Sequence, residues 1–251
     1  MKVESVTFIN EGQQIVGMFH VPDKTPAPLV ILCHGGGANK LGSWTGFFVK
    51  AARAFCREGF AVLRFDFIGC GDSDGEYENQ TTTSMLSDLK IVIDETGKRK
   101  EINNKKIALV GHSQGGYISL LHAAKDKRVR LLVEWMGRAV DIIDFWNKSW
   151  NLEIDRKGYF MSGGFKVTKN YRNDSLKYRS NESIKSLKIA VGLIYGEMDE
   201  IIPPAEGQII KDALKDKVEF KIMPYLNHDF SGEENQKEII KTTLGWLKKW
   251  L

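Results

Sequence analysis

The stretch Ile107 to Leu121, IALVGHSQGGYISLL, leaves this chain few ways to fold. Ile107, Ala108, Leu109 and Val110 form a short unbroken apolar run, as a buried strand does. Gly111, His112, Ser113, Gln114, Gly115 and Gly116 follow, and then an apolar, helix-compatible segment. The pattern predicts strand, sharp turn and helix, with Gly-x-Ser-x-Gly at the turn. A turn that tight presses backbone against backbone, so Gly111 and Gly115 must lack a Cβ. It also pushes the Ser113 hydroxyl out at a helix N-terminus, where free N–H groups and the helix dipole favour negative charge. A serine so placed can attack a carbonyl carbon. A plain glycine-rich connection has the same local look, and the motif alone does not decide.

Before and after this stretch, strands and helices alternate. Val3–Ile9 and Gln14–Val21 are expected to pair as a hairpin across Asn10-Glu11-Gly12. Leu29–Cys33, Phe60–Phe67, Ile107–Val110, Val129–Trp135, Ile189–Tyr195 and Val218–Met223 are the further expected strands. Helices are expected at Phe47–Glu58, Met85–Thr96 with caps among Thr81–Ser84, after the elbow, at Pro204–Leu214 and at Asn235–Leu251. The expectation is an α/β fold: one domain over 1–251, a mainly parallel eight-stranded sheet, helices on both faces. One segment breaks the rhythm. Residues 138–187 are too many for a connection and rich in aromatics, Asn, Lys and Gly. Insertions of that length tend to be lids, so it is expected as a cap over the site.

Composition excludes other classes. Thirty-six basic against 32 acidic residues leave a net charge of +4, scattered along the chain. No basic tract with interleaved aromatics points to nucleic acid. No apolar run reaches the ~18 residues of a membrane span, and the N-terminal residues lack the apolar core of a signal peptide. Cys33, Cys56 and Cys70 cannot all pair and show no C-x-x-C spacing, which favours a cytoplasmic setting. The five histidines are dispersed, with no H-E-x-x-H, so no metal site is expected.

A serine nucleophile needs a base, and the base needs a carboxylate to orient it. His20 lies inside an early strand, His34 begins a glycine run, His112 is the variable residue of the elbow, and His122 is on the following helix. His228 lies just past the last strand, at the sheet end where ligands bind in parallel sheets, and is the expected base. The acid is sought after the preceding strand, in Tyr195-Gly196-Glu197-Met198-Asp199-Glu200. Asp199 is preferred, with Glu197 and Glu200 as competitors. The chain order is then Ser113, Asp199, His228. The tetrahedral intermediate needs N–H donors. Gln114 supplies one, and Gly36, with Gly37 next, is expected to supply the other from the loop after the third strand.

The pieces His34-Gly35-Gly36-Gly37, Asp66 through Gly75, Gly111 through Gly116, Gly196 through Asp199, and Asn227-His228 together resemble the α/β-hydrolase superfamily over essentially the whole chain. Within it the chain is most similar to bacterial cinnamoyl (feruloyl) esterases, through the Asp66–Gly75 run, Asn79 and Gly-His-Ser-Gln-Gly-Gly. The resemblance implies a serine esterase that needs no cofactor, acts on small-molecule esters, and uses the insertion to shape the acyl pocket. Trp135, Trp146, Tyr159 and Phe160 are the residues expected to bind substrate there; Trp150, Phe165 and Tyr171 share the same insertion. The chain departs from those esterases in two places. It has Gly35-Gly36-Gly37 where they carry a bulkier residue, and its aromatic insertion matches theirs poorly. Two other readings share these motifs: an acyl-peptidase or thioesterase with the same triad, and a non-catalytic binding protein on the same fold. No nucleic-acid or membrane partner is expected, and the oligomeric state stays open, a homodimer included.

Overall fold

The computed structural model describes residues 1–139, 148–162 and 164–251, the side chains of 148–151 excepted. β1 (Lys2–Asn10) and β2 (Gln13–Val21) pair antiparallel, with Asn10 opposite Gln13 and with Glu11 and Gly12 both at positive φ in the two-residue turn. β3 (Ala27–Cys33), β4 (Ala61–Phe65), β5 (Ile102–His112), β6 (Val129–Trp135), β9 (Ala190–Gly196) and β10 (Val218–Met223) complete one eight-stranded sheet. Its order is β1-β2-β4-β3-β5-β6-β9-β10. The first two strands and the β2–β4 pair are antiparallel, and every other neighbour is parallel. The expected α/β architecture is therefore present.

The unbroken apolar runs are explained by burial on both faces. Leu29, Ile31, Ile107 and Leu109 face one core, while Val30, Leu32, Ala108 and Val110 face the other. The first core is covered by α2 (Thr82–Thr96), α3 (Gln114–Ala123) and α7 (Pro204–Leu214), the second by α1 (Phe47–Arg57) and α8 (Glu233–Trp250). Each fully buried Leu, Ile or Phe contributes roughly 1.5–3 kcal/mol. The expected cap of α2 is a reciprocal pair: the Ser84 N–H donates to Thr81 Oγ1 (3.0 Å) and the Thr81 N–H to Ser84 Oγ (2.9 Å). β5 starts earlier than its apolar run. Asn103, Asn104, Lys105 and Lys106 carry no strand-like hydrophobic pattern, yet the backbone at Ile102 and Asn103 pairs with Ala27 and Pro28.

Between β6 and β9 lies the inserted segment. It holds α4 (Lys148–Lys157), a hairpin of β7 (Tyr159–Ser162) and β8 (Phe165–Thr168), α5 (Lys169–Ser175) and α6 (Ser180–Ser186). The Asp174 carboxylate fixes α5 to α2 by accepting the Thr83 N–H (2.8 Å) and its hydroxyl (2.7 Å). Among the described residues no helix is long and apolar enough to cross a membrane.

Candidate active site

The elbow follows β5 as the glycine spacing requires. A Cβ on Gly111 would overlap the backbone of Gly115 and Gly116, and one on Gly115 would overlap the carbonyls of Cys33 and His34. Ser113 takes φ 55°, ψ −122°, an unfavourable conformation for a residue with a side chain. Strain of this kind, of order 1–3 kcal/mol, persists only where the surroundings impose it. Here the Ser113 N–H is tied to the Trp135 carbonyl (3.2 Å) and its own carbonyl accepts from Gly116 (3.0 Å). The hydroxyl is left half-exposed at the first turn of α3.

His228 comes to it from the loop after β10. Its Nε2 lies 3.0 Å from Ser113 Oγ, and its Nδ1 lies 2.7 Å from Asp199 Oδ2. Asp199 follows β9 and is 4% exposed, whereas Glu197 and Glu200 point to solvent. The other Asp199 oxygen accepts the N–H groups of Ile201 (2.9 Å) and Ile202 (2.8 Å), so the carboxylate is satisfied on both sides and cannot swing away. Three residues that are 115 and 29 positions apart thus form one hydrogen-bonded line. With Nδ1–H donated to Asp199, Nε2 is free to accept the serine proton.

Residues 28–150 match the family described as the alpha/beta hydrolase fold. Est1E from Butyrivibrio proteoclasticus, solved with ferulic acid bound, superposes with a TM-score of 0.86 at 20% identity, covering 98% of both chains. The chain carries the α/β-hydrolase fold. Among relatives, the Escherichia coli "Uncharacterized 31.7 kDa protein in traX-finO intergenic region" is 26% identical over 248 residues, covering 82% of this chain and 84% of that one. Mouse (Mus musculus) mitochondrial palmitoyl-protein thioesterase ABHD10 is 26% identical over 212 residues, covering 79% and 67%.

The glycine loop after β3 lies against Ser113: a Cβ on Gly35 would sit 3.1 Å from Ser113 Cβ. Gly36 follows, exposed toward the site. Among the described residues neither the Gly36 nor the Gln114 N–H has a backbone acceptor, which leaves both expected oxyanion donors available. His34 supports the loop, as its position suggests. Its Nδ1 meets the Gly35 carbonyl (2.8 Å) and its Nε2 accepts the Phe67 N–H (3.1 Å). His112 lies under the site. Its Nε2 donates to the His228 carbonyl (3.0 Å), its ring packs 4.7 Å from that of His228, and burial holds its pKa well below the usual histidine value. It stays neutral and braces the base. His20 is buried in β2, and burial with Arg64 and Arg53 nearby lowers its pKa to about 4. His122, buried near the end of α3, places its Nε2 3.1 Å from Asp126 Oδ2.

The substrate-binding expectations fare differently. Trp135 is not in a pocket. It is fully buried against Phe47, Phe48, Phe55 and Phe230, with its indole N–H on Thr243 Oγ1 (3.0 Å). Strand alternation turns position 135 toward the α1–α8 face, and position 134 toward the other. Trp146 lies outside the described residues, as does the side chain of Trp150. Tyr159 is half-buried on β7 beneath the Lys166 ammonium, and Phe160 packs on the main core. The inserted residues found beside the glycine loop and nucleophile are Phe165 and Tyr171. The Phe165 ring lies tilted against that of Tyr77, centroids 4.7 Å apart, and fills the space beside Gly37, and the Tyr171 hydroxyl accepts from Gln114 Nε2 (2.6 Å). Tyr77, from the loop after β4, brings its hydroxyl to Gly36; burial keeps it protonated by raising its pKa. No local motif marks Tyr77: it opens a single 3-10 turn, Tyr77–Asn79, in a polar connection that only the fold carries to the site.

Among the described residues no group of three or more His, Cys, Asp or Glu could hold a metal ion. Cys33, Cys56 and Cys70 are buried free thiols whose pKa values burial pushes up, so none is a competing nucleophile.

Proposed function

We propose that this protein is a serine esterase that cleaves carboxylic esters of short-chain or aryl acids through an acyl-enzyme. The observation that carries the reading is the unbroken line from Ser113 Oγ to His228 to Asp199, at 3.0 and 2.7 Å. Ser113 Oγ attacks the ester carbonyl carbon as its proton passes to His228 Nε2. The carbonyl oxygen becomes an oxyanion facing the Gly36 and Gln114 N–H groups. The intermediate collapses, and His228 returns the proton to the departing alcohol. Water, deprotonated by His228, then attacks the acyl carbon, and the acid leaves as Ser113 regains its proton. Asp199 holds the imidazole in the right tautomer throughout. One oxyanion donor is worth roughly 10²–10³ in rate.

The inserted segment 138–187 acts as the cap in this reading, with Phe165, Tyr171 and Tyr77 bounding the acyl side. Aromatic walls favour an aryl or short acyl group over a long flexible chain, each ring contact adding roughly 0.5–1.5 kcal/mol. The likeness to a ferulate-binding esterase supports including aryl-acyl esters. The matched palmitoyl-protein thioesterase supports a second reading, thioester cleavage by the same triad. Steady-state kcat/KM on 4-nitrophenyl butyrate and laurate, methyl ferulate and an acyl thioester separates the two. A maximum on butyrate or ferulate is expected. A maximum on laurate, or on the thioester, would overturn the short-chain or aryl ester assignment.

A further inference from the structure

The side chain of Gln114 has a position that catalysis by its backbone N–H alone does not require. Its Nε2 donates to the Tyr171 hydroxyl at 2.6 Å and touches Met85 Sδ at 3.4 Å. Its Oε1 occupies the place where a side chain on Gly36 would start: a Cβ there would overlap it. One carboxamide is therefore wedged between the cap helix α5 and the glycine loop. The two backbone groups it separates, Gln114 N–H and Gly36 N–H, are the two oxyanion donors of the proposed mechanism. Tyr171 is 8% exposed, and burial raises its pKa to about 12, so the anchor is a neutral phenol over the whole working range.

Met85 is fully buried on α2 and gives the wedge a fixed wall. On the cap side, α5 is locked to the same helix by Asp174 on Thr83. The preceding hairpin lays Phe165 against Gly37, where a Cβ would sit 2.5 Å from the ring. The Tyr171 and Phe165 contacts both land on residues flanking the hole.

We infer that Tyr171 is a positioning residue: through the Gln114 carboxamide it makes the spacing of the oxyanion donors depend on the docked cap. The inference rests on the esterase reading above and adds to it a mechanical link between cap and hole. A donor displaced by a fraction of an ångström keeps part of its value, so the loss is smaller than deletion of a donor.

The test is a double-mutant cycle on the full chain with Tyr171→Phe, Gln114→Ala and both together. Two rates are read: kcat and KM for 4-nitrophenyl butyrate, and the second-order rate of Ser113 phosphonylation by a fluorophosphonate probe. Melting temperature reports folding. Tyr171→Phe keeps the ring and removes the hydroxyl, with its links to Gln114 and Thr82. It is expected to lower kcat and the phosphonylation rate about tenfold, with KM changed less than about twofold, as loss of a transition-state contact requires. The double variant is expected to be no slower than Gln114→Ala alone, because both substitutions cut one link. Rates for Tyr171→Phe within twofold of the parent would overturn the inference. A raised KM at constant kcat would also overturn it, making Tyr171 a substrate contact, and so would losses that multiply. Gln114→Ala probes the link from its other end, should Tyr171→Phe not fold. Absence of Ser113 labelling in the parent protein would instead sink the serine-esterase reading itself, while a labelled parent matched by Tyr171→Phe sinks only the link.

Discussion

Glycines show how differently two parts of this molecule are held. In the shelf beneath the nucleophile, a Cβ on Gly111 or Gly115 would run into backbone that cannot give way. In the inserted segment, a Cβ on Gly158 or Gly164 would meet nothing within 4 Å, and these positions need glycine only for their positive φ of 84° and 88°. The shelf is fixed by contact from every side, so the strained Ser113 has no alternative. The insertion packs Ile154, Tyr171, Ile184 and Leu187 into the main core, and beside the site it is tied by Asp174 on Thr83, Tyr171 on Gln114 and Phe165 on the glycine loop. A site that must hold three groups to fractions of an ångström belongs on the first kind of structure.

The sharpest way to break this contrast is at the shelf. Ser113→Ala is expected to fold as the parent does and to lose at least ~10⁴-fold in turnover, the scale of triad loss. A purified variant retaining more than a few per cent of parental turnover on 4-nitrophenyl butyrate would remove Ser113 as nucleophile. Asp199→Asn follows, at ~10⁴-fold, because the amide misorients the imidazole. Glu197→Gln and Glu200→Gln, on exposed side chains of the same turn, are expected to stay within a few fold. A deader glutamate variant would move the acid.

That difference also explains what the sequence could tell. The elbow and the hairpin are legible because local chemistry forces them: Asn10-Glu11-Gly12 can close a two-residue turn, and Gly111-x-Ser113-x-Gly115 can pass one close backbone crossing. Asp199 could be preferred over its neighbours but not separated from them by sequence alone; burial and two N–H donors single it out. Trp135 was misplaced because sitting at the end of a strand near the site says nothing about which face the side chain takes. Tyr77 and Tyr171 reach Gly36 and Gln114 across 41 and 57 positions, on loops and a short helix whose local sequence carries no period. Tertiary packing alone brings them there.

A matched pair of smaller changes sharpens the comparison. Gly115→Ala must displace the Cys33 and His34 carbonyls, and is expected to cost at least the upper end of the roughly 1–3 kcal/mol typical of overpacking. Gly158→Ala meets only the positive-φ penalty, roughly 1–2 kcal/mol. Melting curves of both variants beside the parent decide it. Equal losses would mean that the shelf is no more constrained than the insertion.

An effect on stability alone concerns the seam where the sheet hands over to the insertion. Glu134, on β6, is fully buried; its Oε2 faces the Tyr195 hydroxyl at 3.4 Å, and its Oε1 has no hydrogen-bond partner among the described residues. That same tyrosine donates to the Gly137 carbonyl at 2.5 Å, two residues before the Ala139 N–H that Glu206 accepts at 2.8 Å. Burial, opposed by the Tyr195 hydrogen bond and reinforced by Glu206, raises the Glu134 pKa from 4.5 to about 8. The folded state therefore holds a proton that the unfolded chain releases once the pH exceeds 4.5. Stability from this group is complete below that pH, declines as pH rises toward 8, and is flat beyond, the total change being a few kcal/mol. Glu134→Gln keeps the shape and removes the titration. Its melting temperature is expected to match the parent's near pH 5 and to exceed it increasingly up to pH 8.5, with kcat on 4-nitrophenyl butyrate little altered at pH 7. Parallel melting curves for the two proteins across that range would show that Glu134 does not exchange its proton on unfolding, and that the seam owes its stability to packing alone.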